Sequence, residues 1–249
     1  MSLRPFATFL LLLLSTTVRA ALPIDVPERV LLPLLTPPVF GSRGSEFRTA
    51  FTVENMSDRL VYLFGINAEC EGCFPEEIGG DVVGLEPQAT FIPRYDGTPG
   101  RFLILEKGDF DRLAVNLRVY DVSRNDRNFG TELPIVRDRE LTTAPIYLPA
   151  VPVTDAFRNT LRIYGTKAAT VRVTIGTETT DVALRPGLDE FQPAYAIVTT
   201  FPTAPSVQAS AVRVTVTPLD TTPDAARIWA FISVTNNDTQ TITTITPQR

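Results

Sequence analysis

Along much of the chain, apolar and polar residues alternate singly. Leu113, Val115, Leu117 and Val119 interleave with Ala114, Asn116, Arg118 and Tyr120. A period of two puts one set of side chains on each face of a strand, so the stretch predicts a half-buried β-strand. The same pattern marks Val171, Val173 and Ile175 around Arg172 and Thr174, and Val212, Val214 and Val216 around Arg213 and Thr215. Ile228–Val234 differs. Ile228, Ala230, Ile232 and Val234 make one face apolar, while Trp229 and Phe231 make the other apolar too. That predicts a central strand covered on both sides. Asn236-Asn237-Asp238 reads as a turn, and the β-branched run Thr239–Ile245 as the returning strand of a hairpin. The 21 prolines and 14 glycines fall mostly between these runs, and no window of a dozen residues beyond the N-terminus keeps a 3.6 period. Helix is expected to be minor.

A faint repeat runs through the pattern. Phe47-Arg48-Thr49-Ala50-Phe51-Thr52-Val53 matches Phe157-Arg158-Asn159-Thr160-Leu161-Arg162-Ile163 at an offset of 110 residues. Each follows a proline-broken apolar strand, Val30–Leu35 in one case and Ile146–Val153 in the other. A β-sandwich domain runs to about 100 residues, so the offset fits one sandwich per copy. The fold expected is therefore all-β, with two tandem antiparallel β-sandwich domains of immunoglobulin-like type. Residues 21–141 form the first and 142–249 the second, with the small polar link Leu141-Thr142-Thr143-Ala144 at the boundary. Arg48, Arg118, Arg162, Arg172 and Arg213 fall on the polar side of the alternation. They are expected on solvated outer surfaces, where charge discourages edge pairing.

The N-terminus sets the compartment. Arg4 is followed by Phe6–Leu14, apolar except for Thr8, and Val18-Arg19-Ala20 suits a cleavage site. This is the layout of a secretory signal peptide over residues 1–20. Its apolar run is about half the ~20 residues that span a bilayer, so no transmembrane segment is expected. Ala21 rather than cysteine follows, so no lipid anchor is expected either. The signal holds two of the 23 basic residues and none of the 28 acids, which leaves the mature chain at a net charge of −7. An acidic protein repels phosphate backbones, and nucleic-acid binding by net charge is disfavoured.

The chain has no histidine. Ser-His-Asp and Cys-His catalysis and histidine-based metal sites are thereby excluded. Ile104 and Tyr164 stand three residues before the only lysines, Lys107 and Lys167, so no S-x-x-K exists; G-x-S-x-G, Walker and G-x-G-x-x-G patterns are missing as well. No catalytic residue, metal ligand or cofactor is assigned.

Cys70 and Cys73, in Glu69-Cys70-Glu71-Gly72-Cys73-Phe74, are the only cysteines. In an exported chain the default is a disulfide that shapes a loop. A redox centre needs a low-pKa thiolate, which the flanking glutamates oppose, and a zinc site would need carboxylates to complete its shell. The acid pairs Glu76/Glu77, Asp109/Asp111, Asp138/Glu140 and Asp189/Glu190 offer carboxylates, but a glycosidase needs two of them across a cleft. Asp121–Asp126 has oxygen ligands for Ca²⁺ without the full loop pattern. Phe64, Phe74, Tyr95, Tyr195 and Phe201 lie near expected loops and are candidates for stacking on sugars, whereas Trp229 belongs to the core.

The segments Phe157–Tyr164 and Trp229–Asn237 resemble those of secreted bacterial proteins of tandem β-sandwich type to which no function is assigned. The resemblance implies export and fold and transfers no site residue. The expectation is a secreted or periplasmic, non-enzymatic structural, adhesive or protein-interaction module with a protein or surface-glycan partner. The alternative is a carbohydrate- or calcium-dependent ligand-binding module. N-terminal sequencing of the exported protein should start at Ala21, and intact mass should fall two hydrogens short of the Cys70/Cys73 dithiol. A retained leader, or two free thiols, would remove these assignments.

Overall fold

A computed structural model describes residues 25–33, 39–41, 44–66, 82–92, 99–123, 130–201 and 211–248. The expected signal peptide and the Cys70/Cys73 pair lie outside the described residues. Within them the chain is all-β. Single 3₁₀ turns lie at Phe110–Arg112 and Asp138–Glu140, and among the described residues no helix is long and apolar enough to cross a membrane.

The first half contributes β1 (Pro27–Leu32), β2 (Val39–Phe40), β3 (Glu46–Asn55), β4 (Val61–Phe64), β5 (Val82–Leu85), β6 (Thr90–Phe91), β7 (Arg101–Glu106), β8 (Leu113–Asp121), β9 (Thr131–Glu132) and β10 (Val136–Arg137). The second contributes β11 (Ile146–Pro152), β12 (Phe157–Gly165), β13 (Ala169–Ile175), β14 (Glu178–Leu184), β15 (Ala194–Val198), β16 (Ala211–Pro218), β17 (Ile228–Asn236) and β18 (Ile242–Ile245). The alternating runs at 113–120, 171–175 and 212–216 are β8, β13 and β16. The turn at 236–238 and its hairpin are present as β17–β18, with Thr235 opposite Ile242.

The two halves share one wiring. One pair of sheets runs β10-β1-β7-β4-β5 and β11-β16-β13-β14; the other runs β2-β3-β8-β9, with β6 also on β3, and β15-β12-β17-β18. Strand for strand, β1, β7, β4 and β5 answer to β11, β16, β13 and β14, while β6, β3, β8 and β9 answer to β15, β12, β17 and β18. All these pairings are antiparallel. Register repeats too. Glu54 faces Ala114 where Tyr164 faces Trp229, Thr52 faces Asn116 where Arg162 faces Phe231, and Ala50 faces Arg118 where Thr160 faces Ser233. The 110-residue offset read from sequence is thus the offset between β3 and β12. An immunoglobulin domain pairs its first strand with its second and its sixth with its seventh. Here β11 pairs β16 and β12 pairs β17, so the likeness ends at the layered sheets and does not extend to strand order.

Two apolar clusters fill the molecule. One gathers Val30, Leu32, Phe51, Val53, Leu63, Phe102 and Leu117 from both first-half sheets. The other gathers Leu148, Leu161, Ile163, Val173, Val216, Ala230 and Ile232 from both second-half sheets. β17 serves both. Its Ile228, Ala230 and Ile232 enter the second cluster, whereas Trp229 and Phe231 enter the first, joined there by Tyr164 of β12. The double-faced strand read from sequence is covered on one side by its own half and on the other by the first half.

The three aromatic rings form one slab. Tyr164 lies nearly parallel to Phe231 with centroids 6.5 Å apart, and Trp229 is 5.4 Å from Phe231. The Tyr164 hydroxyl donates to the carbonyls of Pro33 and Pro99 in the first half, and its burial pushes the phenol pKa up. Gly100 makes room for the ring, since a Cβ there would sit 2.7 Å from Tyr164 Cε1. Around the slab, Asp138 takes Arg29 at 3.1 Å and Arg227 at 2.7 Å, and Phe102 N–H donates to the Phe191 carbonyl at 2.6 Å. The link at 141–144 is stitched down as well, because Thr142 and Ile228 exchange both backbone hydrogen bonds.

Two predictions follow from this packing. Tyr164→Phe strands the buried Pro33 carbonyl and the half-buried Pro99 carbonyl and should lower the unfolding free energy by about 1–3 kcal/mol. Trp229→Ala should cost about 3–5 kcal/mol, both read by urea denaturation. Equal midpoints for wild type and Trp229→Ala would contradict the slab's role. The second concerns acid. Arg137 grips Glu28 through Nε at 2.6 Å and Nη2 at 2.9 Å, which holds the Glu28 carboxyl below its usual 4.5. A lowered folded pKa gives stability that is present above 4.5 and lost as pH falls below it. The urea midpoint should therefore drop below pH 4.5, and Glu28→Gln should flatten that drop. A parallel pH profile in the variant would rule the pair out.

Candidate functional site

The outer face of the β15-β12-β17-β18 sheet changes character along its length. At one end, Tyr164, Trp229 and Phe231 are sealed against the first half. Two residues further along β12, the same alternation presents Arg162, then Thr160, then Arg158, with Ser233 and Thr235 opposite on β17. These side chains floor a cleft of about 540 Å³. The opposite wall comes from the first half, from Val39, Phe47, Val119 and Leu133, and Phe201 and Ile242 close the sides. The cleft is a consequence of the joint. Where aromatic residues fill the face the halves touch, and where shorter polar residues replace them a gap opens.

The two cleft arginines are held differently. Arg158 is tied into the β17–β18 turn: its Nη1 donates to Asn237 Oδ1 and its Nη2 to Gln240 Oε1, each at 2.7 Å. Gln240 is buried with φ at 58°, and its amide donates to the Asn237 carbonyl at 2.6 Å. Arg158 therefore braces the turn. Arg162 has less. Its Nη1 donates to Ser233 Oγ at 2.7 Å, and its guanidinium lies 5.8 Å over the Phe231 ring. Its Nε is buried with no acceptor. Burial lowers the Arg162 pKa, yet a guanidinium starts so high that it stays ionised. Asp155 is the one carboxylate lining this cleft among the described residues.

Arg162 corrects the expectation of five solvated arginines. Arg48 and Arg172 do sit at the surface, paired with Glu46 at 2.8 Å and Asp181 at 2.8 Å. Arg118 reaches Glu132, and Arg213 lies over the exposed Tyr147 ring. Arg162 instead shares its face with Phe231, and that face is covered. The sequence carried half of the signal, since a strand apolar on both faces must be covered on both; the pairing of Arg162 with Phe231 supplies the rest.

The other residues singled out by sequence do not converge. Asp109 is taken by Arg59 and by Arg112 at 3.0 Å, and Asp111 by Arg137. Asp138 joins Arg29 and Arg227, while Glu140 accepts from the Arg137 backbone at 2.8 Å. Asp189 accepts from the Phe191 N–H at 2.8 Å and lies 3.4 Å from Arg101. Glu76/Glu77 lie outside the described residues. Asp121 organises its own loop, accepting from Ser123 Oγ at 2.6 Å and from the Glu46 N–H at 3.1 Å; Asp126 lies outside the described residues. Of the candidate stacking aromatics, Phe64 is fully buried, Tyr195 packs on the first cluster, and Phe201 packs on the second while also lining the cleft. Phe74 and Tyr95 are outside the described residues. Among the described residues no three acids or cysteines gather as a metal site.

Compared with family models, with curated proteins and with solved structures, the chain matches none of them.

Proposed function

We propose that this chain is an exported, non-enzymatic interaction module made of two β-sandwich domains divided near Leu141, and that it recognises its ligand in the cleft between them. The observation carrying this reading is the cleft. Its 540 Å³ falls within the range of about 300–1,000 Å³ typical of ligand sites. Its lining mixes apolar walls with a few convergent polar groups, as ligand sites do. The groups that gather there suit binding better than bond cleavage: the chain lacks histidine, the side chain that titrates near neutrality without tuning, and Asp109, Asp111, Asp138, Glu140 and Asp189 are held by arginines and backbone N–H groups elsewhere. The site lies between halves joined by a large apolar contact, so it is preorganised, which reduces the ordering cost of binding.

The test fills the cleft. Thr160 points from the middle of its floor, so Thr160→Trp should occupy it while leaving the aromatic slab in place. Melting temperature is measured against a library of small metabolites, glycans and peptides, beside a hydrolase panel. Compounds that stabilise the wild type should bind Thr160→Trp at least tenfold more weakly, and no hydrolase substrate should turn over. Turnover lost on Asp155→Asn, or ligand binding indifferent to Thr160→Trp, would overturn the proposal.

A further inference from the structure

We infer that Arg162 anchors the carboxylate of a small organic acid whose apolar body lies along the walls of the cleft. The inference rests on the cleft being the recognition site and names the class of ligand it takes.

The arginines of this chain show how they hold carboxylates. Arg137 grips Glu28, and Arg172 grips Asp181 at 2.8 and 3.0 Å, each through the edge formed by Nε and Nη2. Two parallel N–H···O bonds on that edge match the spacing of carboxylate oxygens. Arg162 carries the same edge with no acid on it. Ser233 occupies Nη1 and Phe231 the flat face, while Nε has no acceptor. A buried cation without its counter-charge is costly, and among the described residues no carboxylate pairs with Arg162. The missing partner is an anion brought by the ligand.

The surroundings choose the kind of anion. Arg158, about 13 Å away along the strand, has Nη1 and Nη2 committed to Asn237 and Gln240, which leaves Arg162 as the cation of the cleft with an open edge. Asp155 at the rim disfavours a second negative group. A phosphate, doubly charged and hydrophilic, is poorly matched. Phe47, Val119, Leu133, Phe201 and Ile242 present apolar surface on the remaining sides, which accommodates an aliphatic or aryl chain. A volume of 540 Å³ holds a small molecule and excludes a folded partner.

The experiment titrates the mature chain with decanoate and 3-phenylpropanoate, with their uncharged amides, and with inorganic phosphate, by calorimetry and thermal melting. Both acids should bind and raise the melting temperature, the amides and phosphate at least tenfold more weakly. Arg162→Met should melt no lower than wild type, because an apolar residue suits that position, and should lose the acids at least tenfold. Arg162→Lys should recover part of the binding, since it keeps charge without the fork. Equal binding of acid and amide, phosphate as tight as decanoate, silence towards both acids, or Arg162→Met binding like wild type would each overturn the inference. The acid–amide comparison is made on the unaltered chain and stands even if Arg162→Met does not fold. Neutral ligands lost on Thr160→Trp yet indifferent to Arg162 would leave the cleft as the site and remove only its anionic ligand.

Discussion

The burial of Tyr164, Trp229 and Phe231 in the first half's core is the contact on which the rest of the molecule depends. Three large rings hide most of their surface there, and such rings dominate the energetics of any interface that they enter. The tyrosine adds direction, since its hydroxyl must find the Pro33 and Pro99 carbonyls to be tolerated inside. The slab fixes how one sheet lies against its neighbour. It thereby fixes where the two walls diverge, which is where the cleft begins.

The slab marks where the two halves differ. The wiring and register of the two halves agree, yet Glu54, Ala114 and Asn116 stand at the first-half positions that answer to Tyr164, Trp229 and Phe231. Polar or small residues there leave that face to solvent. Their aromatic counterparts turn the same face of the second half into a joint. Thr52 likewise answers to Arg162, so both the joint and the cleft's cation distinguish the second copy from the first.

Much of the framework was legible in sequence, because strands covered by water on one side alternate. β8, β13 and β16 were readable for that reason, β17 for an apolar run on both faces, and the 110-residue offset marked β3 and β12 as equivalents. Strands without alternation were not readable. β7 is buried at Phe102, Leu103 and Leu105 alike, and β5, β6 and β9 are too short to show a period. The strand order was hidden as well, since period two says which side faces inward and nothing about which strand lies alongside. For the same reason Arg162 was misread. Its place in the alternation said "outward", and only the register opposite Phe231 shows that outward is towards the other half.

A joint made from only one of two equivalent faces has a consequence for assembly. Head-to-tail repeats grow into arrays when each unit offers the surface that the next one needs. Here the second copy carries the adhesive aromatic face, and the first copy presents Glu54, Thr52 and Arg48 in the same place. A further unit arriving there would meet charge where its docking partner needs rings. An array built on this joint is opposed at Glu54, Ala114 and Asn116, the first-half positions that answer to the three rings.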